Sequence, residues 1–96
     1  MRALLKSPSD KGFREIIVPN QLHPLQELVG GYIETVTIAE DACIICNEDG
    51  RLLGLPYNCE FCGMNFVGPI LIVGVDGDEF TDVPMSVTMA NGGIQG

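Results

Sequence analysis

Pro69-Ile70-Leu71-Ile72-Val73-Gly74-Val75 is the stretch on which the fold turns. Seven residues without a charge, rich in β-branched side chains, suit a strand covered on both faces. The longer apolar stretch that contains it, Phe66 to Val75, is too short and too interrupted by Gly and Pro to span a bilayer, and the same holds for Leu52 to Tyr57. Asp76-Gly77-Asp78 closes it with turn-forming residues. The segment Val83 to Met89 reads as one more strand, and Asn91 to Gly96 as a flexible tail.

Upstream, Arg2 to Lys6 and Phe13 to Val18 read as strands joined through the breaker-rich Ser7-Pro8-Ser9-Asp10-Lys11-Gly12. In the next segment Leu22, Leu25, Leu28 and Val29 share one helical face. Pro24 is tolerated there only in a first turn, and Gly30-Gly31 supplies a stop. Tyr32 to Ile38 has the pattern of a half-buried strand. Ala42 to Asn47 and Arg51 to Leu55 flank Glu48-Asp49-Gly50 as the two arms of a hairpin. The expected fold is therefore α+β: a mostly antiparallel sheet with one short helix packed on one face, in a single domain over residues 1–90.

The 96 residues allow one core. Yet 46% of them are apolar and the mean hydropathy is +0.25. Surplus apolar surface on so small a domain points to a homo-oligomer. Met1 to Lys6 lacks the apolar core and cleavage site of a signal peptide, so a cytoplasmic protein is expected. Thirteen Asp and Glu against five Lys and Arg give a net charge of -8. Without a basic stripe to displace counterions from phosphates, direct nucleic-acid binding is not expected. The acidity keeps an apolar protein soluble, and also suits a basic host protein as partner.

Cys43, Cys46, Cys59 and Cys62 form a C-x2-C-x12-C-x2-C pattern, the spacing of a four-thiolate structural zinc site. Cys59-Glu60-Phe61-Cys62-Gly63 has the look of a zinc knuckle. Cys43 and Cys46 lie in a strand, however, where residues three apart face opposite ways. The reading favours free thiols, with structural zinc as the alternative. The only histidine, His23, belongs to the first helical turn on the solvent side, with no catalytic motif around it. Asp76 to Asp82 lacks the remainder of a calcium loop. No nucleophile with a base, and no open metal site, is apparent, so the chain is not expected to be an enzyme. Tyr32, Glu34, Asn47 and Asn58 stand at strand ends where a ligand pocket is built, and Arg14 and Arg51 are candidate cations for a phosphate.

Two longer stretches carry a resemblance. Leu25-Gln26-Glu27-Leu28-Val29-Gly30-Gly31-Tyr32-Ile33-Glu34 resembles the hallmark of domain-of-unknown-function family 3846, small proteins of bacteriophages and mobile elements. Asn47-Glu48-Asp49-Gly50-Arg51-Leu52-Leu53-Gly54-Leu55-Pro56-Tyr57-Asn58 is similar to its second hallmark, and Gly68 to Gly74 to the strand that follows. The resemblance implies a phage accessory role, such as counter-defence, and brings no catalytic residues with it. It does not extend to the four cysteines. Two modes of action follow as expectations. One is sequestration of a nucleotide-type immune signal in a pocket at an oligomer interface. The other is inhibition of a basic host enzyme, such as a nuclease, by an acidic surface; a plain interaction module with neither action is the remaining reading.

Overall fold

The computed structural model describes residues 1–95. In chain order the elements are β1 (Arg2–Lys6), β2 (Arg14–Ile17), α1 (Leu22–Val29), β3 (Ile33–Ala39), β4 (Ala42–Asn47), β5 (Tyr57–Phe61), β6 (Met64–Val67), β7 (Ile70–Asp76), β8 (Glu79–Thr81), α2 (Val87–Gly92) and β9 (Ile94–Gln95). The fold is α+β and its sheets are antiparallel throughout.

β7 is the central strand. The main sheet runs β2-β1-β7-β4-β3, with β8 paired to the far end of β7 beyond β1. Ile70 to Val73 are buried completely, because each face of this strand has its own cover. On one face Leu71 and Val73 join Leu5, Cys43 and Ile45 beneath Leu25 and Val29 of α1. On the other, Ile70 and Ile72 join Leu4, Ile44 and Cys46 against Cys59, Phe61 and Phe66 of a second, three-stranded sheet, β6-β5-β9, with Ala90 of α2 beside them. Phe13 meets Phe61 edge-on, with centroids 5.6 Å apart. The molecule thus has three layers: a helix, a sheet, and a small sheet with a second helix. Full burial of four aliphatic side chains on β7 contributes about 1.5–3 kcal/mol each.

α1 starts and stops as its sequence requires. Pro24 lies in its first turn, and Gly30 takes a left-handed conformation at φ 80°, with its N–H on the Gln26 carbonyl at 2.8 Å. Asn47 Nδ2 donates to the Val29 carbonyl at 3.0 Å, so the end of β4 satisfies the end of the helix.

Three expectations need correction. Arg51 to Leu55 is no strand, since both edges of β4 are already taken by β3 and β7. Asn47 Oδ1 accepts the Asp49 N–H instead, and Leu53 N–H to Asp49 O and Leu55 N–H to Gly50 O wind the segment into consecutive turns. Val83 to Met89 is not a strand either. The Arg2 guanidinium donates to the Val83 and Met85 carbonyls at 2.6 and 2.9 Å, and pairs with Glu15. Ser86 then accepts the Met89 N–H and opens α2, a second short helix. Of the segment expected as a flexible tail, Asn91 and Gly92 lie in α2, while Ile94 and Gln95 pair with Phe61 and Glu60; Gly96 lies outside the described residues.

Gly74 is fixed by close approach. A Cβ there would stand 2.1 Å from the backbone oxygen of Asp82, which cannot withdraw because Arg2 N–H donates to the Asp82 side chain at 2.7 Å. Gly74→Ala is expected to destabilise the fold by about 2–3 kcal/mol, read as a fall in the urea midpoint at unchanged slope.

Candidate functional site

The hairpin β5–β6 closes over the main sheet but does not seal against it. Its turn is Cys62-Gly63, with φ 52° and 77°, both in the left-handed region that a two-residue hairpin demands. The turns after β4 pass around the same end of the sheet. Between β3, those turns and β6 lies a cleft of about 420 Å³, within the range of small-molecule sites. Val36, Cys46 and Phe66 form its apolar floor, and Glu34, Glu48, Arg51 and Asn65 stand at its rim.

The rim charges are unspent. Among the described residues the ion pairs are Arg2–Glu15 and the exposed His23–Glu27, so neither carboxylate of the cleft neutralises Arg51. Arg51 Nη2 reaches across to the Asn65 carbonyl at 3.0 Å, and Tyr57 Oη donates to Asn65 Oδ1 at 2.8 Å. The cleft therefore offers carboxylate acceptors, a guanidinium donor and an apolar surface to one occupant. Burial, and then the Glu34 carboxylate beside it, push the Cys46 thiol on the floor from 9.0 up to about 11 and favour its protonated form.

Of the residues singled out in the sequence, Glu34, Asn47 and Arg51 meet in this cleft. Asn47 lines it with a side chain already committed to Val29 and Asp49. Tyr32 is exposed just before β3, and its carbonyl accepts the Glu48 N–H at 2.8 Å. Arg14 belongs to β2, at the opposite edge of the sheet from β3. Asn58 is buried as a brace. Its Nδ2 donates to the carbonyls of Lys6 and Gly68, both at 2.8 Å, and its Oδ1 accepts from the buried Lys6 ammonium at 2.9 Å. Asn65 and Phe66 are additions that the sequence reading missed; the signal was Cys62-Gly63, an X-Gly turn between two strand-like runs.

The four cysteines are not gathered. Cys43 faces α1, Cys46 and Cys59 face the opposite core, and Cys62 is exposed at the hairpin turn. Cys59-Glu60-Phe61-Cys62-Gly63 is strand and turn in place of a knuckle. Among the described residues no group of three or more His, Cys, Asp or Glu is placed to hold a metal ion. Burial raises the Cys43 thiol, and burial, partly offset by the Lys6 ammonium, raises that of Cys59.

An acidic, layered α+β domain with a mixed-charge cleft at the seam between two sheets is the class of protein defined here. The sequence model of Domain of unknown function (DUF3846) matches residues 1–90, and the chain belongs to that family. No curated protein and no solved structure matches the chain significantly. Among the described residues no helix is long and apolar enough to cross a membrane.

Asn58→Ala strands the Lys6 ammonium and two buried carbonyls, and is expected to cost about 3 kcal/mol or more in urea unfolding. In the native chain at pH 8, iodoacetamide is expected to modify Cys62 alone, with the three buried thiols reacting only after unfolding, as read by intact mass. Because the Cys46 pKa is raised in the folded state, its linked stability is full below pH 9.0 and is lost as pH rises toward about 11.

Proposed function

We propose that this domain is a binding protein without catalysis, and that it acts by holding a small nucleotide-type ligand in the cleft between its two sheets. The observation that carries the reading is the set of unpaired rim charges, Glu34, Glu48 and Arg51, around the floor of Val36, Cys46 and Phe66. A flat heterocycle with exocyclic amino and carbonyl groups matches that set. The carboxylates accept from its amino groups, the guanidinium donates to a carbonyl or one phosphate, and the ring lies on the apolar floor. A polyphosphate is poorly matched, because Arg51 is the one cation among the cleft's lining residues. Proton transfer or nucleophilic attack has little support there: the Cys46 thiol is held protonated, and His23 is an exposed partner of Glu27.

The setting we propose is that of a phage or mobile-element accessory protein in the cytoplasm of a host bacterium, withdrawing an immune signal from its receptor. An acidic protein with a cleft of this size acts there by stoichiometry, so its ligand has to be scarce or its copies many.

Calorimetric titration with a panel of mononucleotides, cyclic nucleotides and nucleosides tests the reading. At least one is expected to bind with one site per chain. Arg51→Ala and Glu34→Gln are each expected to weaken that binding tenfold or more, the loss of one charge-assisted hydrogen bond, while Arg14→Ala leaves it unchanged. Absence of binding across the panel, or binding indifferent to both cleft variants, would overturn it.

A further inference from the structure

We infer that the outer edge of β3 pairs with the same edge of a second copy of this chain, joining two main sheets about a two-fold axis at Thr35. β3 is the last strand on its side of the main sheet. The Glu48 N–H bonds the Tyr32 carbonyl, and the β3–β4 register pairs Glu34 with Cys46 and Val36 with Ile44. Because bonded pairs alternate along an antiparallel ladder, Tyr32, Glu34 and Val36 spend their backbone groups on β4. Ile33, Thr35 and Thr37 therefore present theirs outward.

Between Ile33 and Thr37 this edge carries a single charge, Glu34. Ile33-Glu34-Thr35-Val36-Thr37 contains no Lys and no Pro, and it is regular up to the irregularity after Thr37. Natural proteins blunt an edge of this kind unless it is used. The opposite edge shows the contrast, since β2 is short and carries Arg14 and Glu15.

The edge is complementary to itself when centred on Thr35. Antiparallel pairing centred on Thr35 sets Ile33 opposite Thr37 of the second copy, and Thr35 opposite its counterpart. The three outward residues of each chain then exchange all their backbone bonds. Glu34 falls opposite Val36 of the second copy, so the two carboxylates do not meet across the seam even though each chain carries a net charge of -8. A shift of one step toward the N-terminus would place Glu34 against Glu34, which like-charge repulsion disfavours. Centring on Thr35 also uses the regular part of the strand and leaves the irregular end outside. The consequence for the cleft rests on the binding reading above: Val36 of the second copy stands beside Glu34 and extends the apolar wall of each site.

The ligand-free full chain is tested by sedimentation velocity and native mass spectrometry. The expected mass is twice 10.3 kDa. Thr35→Pro removes an outward N–H and no bond to β4, and is expected to halve the mass while circular dichroism stays that of the parent. Thr35→Lys, which keeps every backbone donor but sets two like charges across the axis, is expected to do the same. A parent chain at 10.3 kDa overturns the proposal. So does an assembly that survives both substitutions at Thr35. Because no ligand is present, these outcomes are independent of whether the cleft binds one.

Discussion

Burial of β7 on both faces is the constraint from which the rest follows. A strand of Ile70-Leu71-Ile72-Val73 offers apolar side chains to both sides, and one helix covers only one of them. The chain meets the second demand with the β5–β6 hairpin, β9 and α2, which carry Phe61, Phe66 and Ala90 onto the exposed half. Two covers of different shape leave two different boundaries. α1 is tied to β4 through Asn47 and Val29, whereas the hairpin stands away from β3 and leaves the cleft.

The polar residues inside the molecule serve those boundaries. Asn58 is braced by Lys6 and by the turn at Gly68, which holds the departure of the hairpin from the main sheet at a fixed angle. Asn47 does the same at the helical side and, through Asp49, starts the turns that bring Arg51 to the cleft. Among the described residues no buried side-chain nitrogen or oxygen is left without a partner. The charges without an ion partner at the rim stand out against that economy.

Much of this was legible in the chain. The apolar run at Pro69 to Val75, the helix ended by Gly30-Gly31 and the two N-terminal strands follow from local pattern alone, because their neighbours reinforce what their residues prefer. Arg51 to Leu55 misled because Asp-Gly between apolar runs signals a hairpin only when the first arm has an edge to give. That edge is a property of the assembled sheet. Val83 to Met89 misled because its β-like composition is overruled by Arg2, some eighty residues away in sequence. Of the site, Glu34 and Arg51 could be named from their places at element ends. Asn58 is ambiguous in sequence for a related reason: a turn asparagine and a buried brace look alike until Lys6 is brought beside them.

The pairing of β1 with β7 has a bearing on how the protein is made. Leu4, Leu5 and Lys6 lie against Ile72, Leu71 and Ile70, so the first strand of the domain finds its central neighbour among the later ones. Without β7, β1 has only β2 to pair with and β4 has only β3. Contacts so distant along the chain slow folding and prolong the exposure of unpaired strands. β7 is thus the strand that joins the β1–β2 pair and the β3–β4 pair into one sheet.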